Sequence, residues 1–209
     1  MHSDTEHKNF NYETVTYILL VTLLLISCGP SSKESQIIGR WSYTASHATN
    51  IMADSEDGMP QTYMTYLIES IDEFKEDLTE RESGSFEIYF DITLPESGIT
   101  NTVILEYMLD YQGTWNVQGD ILNMIGESCT YKYIKGYILR PSPFFDEKYY
   151  VDLMKKYVET AVIQPLIQSQ LSNHHPRIQS VSADELIFQY DGDVNQQTLT
   201  RLKGPLLGH

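Results

Sequence analysis

The sequence predicts a mainly β fold, an antiparallel meander that closes into a barrel or a sandwich. Two stretches, residues 86–92 and residues 103–111, alternate between apolar and polar side chains. A period of two with one apolar face is typical of a sheet that is buried on one side and wet on the other. No strand–helix–strand alternation is visible, so a doubly wound parallel sheet is not expected.

The early part of the domain contains one ambiguous segment. A first strand is expected at residues 37–43, followed by a polar loop over residues 48–61. In residues 63–78 the apolar side chains fall at helical spacing, which favours an amphipathic helix. The acidic run at residues 72–77 is equally compatible with a strand that runs into a turn. Both interpretations remain open, and the strand pattern that follows favours the strand.

The later part predicts further strands and one helix. Asp146 is a suitable N-cap for an amphipathic helix over residues 150–162, which Pro165 ends or kinks. An Asp191-Gly192 pair between two strand patterns predicts a hairpin. The expected strands are residues 86–92, 103–111 with a continuation over 113–117, 122–125, 129–139, 178–181, 185–190 and 197–202.

Residues 15–28 form the most informative stretch for location. The apolar run is too short to cross the ~30 Å of a bilayer core, which needs ~20 residues, but it has the length of a signal-peptide core. It ends in Leu25-Ile26-Ser27-Cys28. The expected division is a signal peptide over residues 1–27, a short flexible tether that begins at Cys28 and covers residues 28–36, and one folded domain over residues 37–209.

The four residues Leu25-Ile26-Ser27-Cys28 resemble the lipobox of bacterial lipoproteins at every position. This resemblance implies that Cys28 becomes the first mature residue and carries acyl chains. It also implies attachment to a bacterial membrane, the outer membrane facing the periplasm being the expected place. Several acyl chains together hold a protein firmly, since each buried CH₂ group contributes ~0.8 kcal/mol.

Charge and cysteine content restrict the partners. The net charge is −15, which repels nucleic acid and anionic lipid surfaces, so no nucleic-acid partner is expected. The chain has two cysteines, Cys28 and Cys129. If Cys28 is acylated, Cys129 has no partner for a disulfide within its own chain, and its strand-like surroundings predict a buried, inert thiol.

A second resemblance concerns the folded domain. Gly39 and Trp41 begin the first predicted strand, and Arg201 lies near the end of the last one. This arrangement is similar to the lipocalin pattern, in which the tryptophan closes the narrow end of an eight-stranded barrel and the arginine packs across it. The resemblance implies a lipocalin-like (calycin-type) barrel. The helix predicted over residues 150–162 departs from the pattern, because it is inserted before the last strands, whereas in lipocalins proper the helix follows the barrel.

The expected function is binding without catalysis. The lipocalin resemblance implies a small apolar or amphipathic ligand, and the alternative is a structural or protein-interaction lipoprotein with a solidly packed barrel. The motifs of zinc proteases, serine hydrolases and nucleotide-binding loops are absent from the sequence, and no metal, cofactor or catalytic residue is predicted. The candidate pocket residues are aromatic side chains on strand faces: Tyr107, Tyr111, Trp115, Tyr131 and Tyr133.

Overall fold

A computed structural model describes residues 32–52, 61–94, 97–193 and 195–203. The predicted signal peptide and Cys28 lie outside these residues. Within the described ranges no helix is both long enough and apolar enough to cross a membrane. These residues form a single sheet of antiparallel strands with helices packed against it, which confirms the prediction of a mainly β meander.

The sheet has a ring-like arrangement. The first five strands pair in sequence order, and the last strand, β9, pairs with β1 through Trp41 and Arg201. On the other side β7 meets β5 at one residue pair, Ile121 and Arg177. The strands are β1 (Gly39–Met52), β2 (Gln61–Phe74), β3 (Thr79–Thr93), β4 (Thr100–Gln118), β5 (Ile121–Ile138), β6 (Asn173–His174), β7 (Arg177–Val181), β8 (Glu185–Gln189) and β9 (Gln197–Arg201).

The ambiguous segment is a strand followed by a turn. In β2 the even-numbered residues Met64, Ser70 and Phe74 are buried. They share one face of β2 because side chains alternate along a strand, and β2 pairs along its whole length with β1 on one side and β3 on the other. The helical spacing of the apolar residues is therefore overridden by the strand pairing, since both edges of β2 find hydrogen-bonding partners.

Three predicted boundaries are corrected. The loop expected from residue 48 begins later, because β1 continues to Met52 in register with β2. Strand β5 is one long strand rather than two, and the break expected in it is a shift of register opposite Gln112 and Gly113. Residues 32–36, predicted as part of a flexible tether, belong to a short helix, α1 (Ser32–Ile37), whose Ile37 is fully buried.

The main helical region lies where it was predicted, before the last strands. Helix α2 (Glu147–Val158) has Asp146 as its N-cap, and the Asp146 carboxylate accepts a hydrogen bond from the Tyr149 backbone N–H at 3.1 Å. Pro165 does not end the helix. A π-helical segment (Glu159–Ile163) leads directly into α3 (Gln164–Gln170). Its wider turn lies just before Pro165, whose nitrogen has no hydrogen to donate to the helix.

The core consists of two main clusters inside the ring. One face of α2, with Val151, Met154 and Val158, packs on the apolar side chains of β3 and β4 and forms the first cluster. The second cluster surrounds Trp41 and Trp115 at the end of the ring where α1 lies. Between these clusters lies the region that contains the candidate site.

Candidate functional site: an acid-lined cavity

A cavity of about 190 Å³ lies inside the ring between the two core clusters. Its wall is formed by residues from strands β1 to β6, α3, β8 and β9. Three of its lining residues are carboxylic acids and four are tyrosines. The acids are Asp72, Glu80 and Glu82, and the tyrosines are Tyr43, Tyr111, Tyr131 and Tyr190.

Strand register places the three acids together. Asp72 of β2 is directly opposite Glu82 of β3, and Phe74 is opposite Glu80. Residues paired in this way have Cβ atoms about 4.5–5.5 Å apart, and like charges at such positions repel each other. On the far side of β3, Glu82 is opposite Tyr111 of β4. The fold therefore brings carboxyl groups together on an inward-facing surface.

The acids have no basic partner. Glu80 is 6 % exposed, and its Oε2 atom has no hydrogen-bond partner among the described residues. Asp72 and Glu82 are half-buried, and both line the cavity. The lining residues include no Lys or Arg, and none of the ion pairs found in the described part of the chain contains one of these acids.

Burial raises the pKa values of all three carboxyl groups. Burial, followed by repulsion from Glu82, raises the pKa of Glu80 to about 8. The pKa of Asp72 is raised well above its usual range by burial and by repulsion from Glu82 and Glu80. Burial also raises the pKa of Glu82. At neutral pH Glu80 is therefore mainly protonated when the cavity holds no cation.

Tyrosines and one histidine also line the cavity. Burial raises the pKa values of Tyr111, Tyr131 and Tyr190, so their hydroxyl groups stay neutral. His174 also lines the cavity, and its Nε2 atom lies 2.8 Å from the Ser169 carbonyl oxygen. The wall of this partly open cavity thus combines aromatic rings, hydroxyl groups and carboxyl groups.

Two of the five predicted pocket residues line this cavity, Tyr111 and Tyr131. Trp115 lies in the cluster at the end of the ring, with its ring edge against Phe74 at 5.3 Å between centroids. Tyr107 and Tyr133 lie in the other cluster, beneath the helical region, with ring centroids 5.5 Å apart. The structure therefore divides the predicted set between the cavity and the two core clusters.

The structure brings Gly39, Trp41 and Arg201 together at the end of the ring. The Arg201 guanidinium carbon lies 4.1 Å from the centroid of the Trp41 ring, and Arg201 Nη1 donates to the Ile38 carbonyl oxygen at 2.9 Å. The Trp41 side chain is fully buried, and its Nε1 donates to the Ile37 carbonyl oxygen at 2.7 Å. The cation–π contact between Arg201 and Trp41 and the hydrogen bonds to the two backbone carbonyl oxygens hold this end together.

Replacing Gly39 with Ala should lower the free energy of unfolding by about 2–3 kcal/mol. Gly39 has a φ of +140°, and a Cβ there would lie 2.5 Å from Arg201 Nη1. Gly119→Ala is the matched control, since Gly119 has a φ of +65° with nothing within 4 Å. It should cost only about 1 kcal/mol of backbone strain. Urea unfolding of both variants checks this, and equal losses would contradict a close contact at Gly39.

The free cysteine and the possible metal ligands of the described residues do not form a reactive site. Cys129 is a buried free thiol, as predicted, and burial raises its pKa to about 11, so it stays protonated at neutral pH. Within the described ranges no three His, Cys, Asp or Glu side chains are placed so that they could hold a metal ion. The arrangement is suited to binding a small molecule by charge, hydrogen bonds and aromatic contact.

The acid cluster is the feature that sequence analysis missed. Asp72 shares the even numbering of the buried residues of β2, and Glu80 and Glu82 share that of the buried Phe86 and Ile88 in β3. This parity would have placed all three acids on the inner face. This parity could not be used, because residues 63–78 had two interpretations and β3, which begins at Thr79, was expected to begin at Phe86.

The sequence matches no protein-family model, and a search of curated proteins returns no similar sequence.

Proposed function

We propose that this protein is a lipid-anchored bacterial lipoprotein whose lipocalin-like β-barrel domain binds a small amphipathic molecule. One observation carries the proposal: a partly open cavity lies between two core clusters, and its wall combines apolar, aromatic and ionisable side chains. Ligand sites in proteins typically have this composition, with a few polar groups that fix orientation.

The strand order supports the lipocalin-like barrel. Strands β1 to β5, followed by β7, β8 and β9, are connected by pairing in a circle, because β9 returns to β1. The contact between Trp41 and Arg201 at one end of the ring is the arrangement that the resemblance implies. The helical region lies before the last strands, which differs from lipocalins proper, and it covers the first core cluster.

The size and polarity of the cavity restrict the ligand. At about 190 Å³ it is smaller than the ~300–1,000 Å³ typical of sites for drug-sized molecules, so a long lipid chain does not fit within it. A purely apolar ligand would leave the carboxyl groups without hydrogen-bond partners, which costs free energy. The alternative of a solidly packed, structural barrel is less favoured, because packing would have filled this space with side chains.

Binding is favoured over catalysis. Buried carboxyl groups with raised pKa values occur in enzymes, where they act as general acids or bases. Here the imidazole that lines the cavity, His174, is bonded to a backbone carbonyl oxygen through Nε2. The Cys129 thiol is kept neutral by burial. No pairing of a nucleophile with a base is found among the described residues of the cavity wall.

The proposed anchor would hold one end of the ring near the bilayer. Three residues separate Cys28 from Ser32, where α1 begins, and such a segment spans at most about 14 Å. Helix α1 is fixed to the β4–β5 end of the ring, because Glu34 accepts from the Val117 N–H at 3.0 Å and Lys33 pairs with Asp120. The helical region, at the other core cluster, would then lie farther from the membrane.

Replacing Cys28 with Ala should release the protein from membranes into the soluble fraction. Without the cysteine no acyl chains can be attached, and the net charge of −15 gives no attraction to anionic lipid. Fractionation of bacterial cells that express each form measures this. Cys129→Ala is the matched control and should stay with the membranes. Continued membrane association of the Cys28 variant would contradict the lipid anchor.

Native mass spectrometry of the full chain in a mild detergent tests the binding function. A retained small molecule, recovered by denaturing extraction, supports the proposal and gives the mass of the ligand. If the protein carries no molecule and binds none from a library of small amphipathic compounds, the packed structural lipoprotein replaces the binding protein.

A further inference from the structure

The three acids of the cavity create a specific electrostatic problem. Asp72 and Glu82 are opposite each other across β2 and β3, and Glu80 lies two positions before Glu82 on the same strand face. No Lys or Arg side chain lines the cavity to neutralise them. Buried charges in proteins are ordinarily paired, because an unpaired one is costly to remove from water.

Protonation solves only part of this problem. A protonated carboxyl group is neutral, but it still needs hydrogen-bond partners when it is buried. Glu80 is 6 % exposed and lines the cavity, yet its Oε2 atom has no partner in the described structure. A ligand with several N–H donors, placed in the cavity, would provide both the missing hydrogen bond and the missing positive charge.

The remaining wall favours an organic cation over a metal ion. Tyr43, Tyr111, Tyr131 and Tyr190 line the cavity around the acids, and aromatic faces attract ammonium groups. Apolar side chains, including Leu109 and Leu199, can contact a short hydrocarbon body. The acids do not form a group that could hold a metal ion among the residues described.

We propose that the cavity binds a small primary ammonium ion, with its –NH₃⁺ group among Asp72, Glu80 and Glu82 and its short apolar body against the tyrosines. A primary ammonium group has three N–H donors, so it can donate to the unpartnered Glu80 Oε2 and keep two donors for other carboxyl or hydroxyl oxygens of the wall. This inference deepens the proposed binding function and rests on it, because it names the chemical class of the ligand.

Isothermal titration calorimetry on the full chain in a mild detergent tests the ligand class with three probes of matched size. These are butylammonium, butanol and butyrate. We expect butylammonium to bind, butanol to bind at least tenfold more weakly, and butyrate not to bind. Glu80→Gln should weaken butylammonium binding at least tenfold, because it removes a charge that the ligand pairs with. Glu76→Gln, in the exposed turn before β3, should leave the affinity unchanged.

The other outcomes separate the two proposals. If butanol binds as tightly as butylammonium, the cavity is a binding site but not one for cations, so this inference fails and the binding function stands. If calcium chloride binds and displaces butylammonium, the acids form a metal site, which also overturns the inference. If neither these probes nor the library of small amphipathic compounds binds, the inference fails together with the binding function.

Discussion

Glu80→Gln should stabilise the protein at pH 8 by a few kcal/mol and remove the share of the pH dependence of its stability between pH 5 and pH 8 that comes from Glu80. Burial and repulsion from Glu82 raise the pKa of Glu80 to about 8, against an ordinary value of 4.5. Glutamine is neutral at every pH and has nearly the shape of the protonated acid. It therefore keeps the packing of Glu80 and avoids the cost of ionising it.

The direction of this effect follows from proton binding. Between pH 4.5 and pH 8 the native Glu80 keeps a proton that the unfolded chain has already lost. The free energy of unfolding therefore falls as the pH rises through this window, by up to about 1.4 kcal/mol per pH unit. Below the window both states are protonated, and above it both are ionised. From pH 5 to pH 8 the loss is on the order of 3–4 kcal/mol.

Urea unfolding at several pH values measures this, with the full chain in a mild detergent and no added amine. Glu76→Gln is the control, because Glu76 is exposed in the turn between β2 and β3, and it should change stability by less than about 0.5 kcal/mol. If Glu80→Gln leaves the pH dependence intact, Glu80 is ionised in the native protein. The cavity would then be open to water or already occupied by a cation.

Replacing Trp41 with Ala should lower the free energy of unfolding by about 3–5 kcal/mol. The Trp41 side chain is fully buried in the core cluster at the α1 end of the ring. The substitution removes a large apolar group, the hydrogen bond from Nε1 to the Ile37 carbonyl oxygen, and the ring beneath the Arg201 guanidinium. The residual space cannot close easily, because β1 is held between β2 and β9.

Phe144→Ala is the control for this loss, because the Phe144 side chain is 65 % exposed. It should change the free energy of unfolding by no more than about 0.5 kcal/mol. Chemical unfolding followed by circular dichroism measures both variants. A similarly small effect at Trp41 would mean that this end of the ring is not closed over the tryptophan.

Much of the fold could be predicted because apolar and polar side chains alternate along the strands. Alternation in β3 and β4 depends on local residues alone, and so does the N-cap at Asp146. The end of the helical region was not predictable in the same way. Pro165 is tolerated because a π-helical segment precedes it, and no local rule applied to residues 159–163 requires that wider turn.

The candidate site depends on pairing between strands that are distant in sequence. Which carboxyl groups face inward is fixed by parity within each strand, but which of them meet is fixed by register. A shift of one residue between β2 and β3 would separate Asp72 from Glu82 and turn the inner face outward. Tyr190 directly follows β8, which comes after the whole helical region in the chain. Sequence alone could not bring these groups together.

The pairing of β9 with β1 has a consequence for the order of folding. Arg201 and Ile38, which are joined by a hydrogen bond, are 163 positions apart in the chain, whereas β2–β3 and β4–β5 are joined by short turns. Contacts between distant residues form slowly, because closing a long loop costs entropy before any contact compensates for it. The early hairpins should therefore form first, with Asp72, Glu80 and Glu82 still hydrated. Tyr190, directly after β8, and Leu199 of β9 complete the wall, so we expect the acids to lose their water only at the final step of folding.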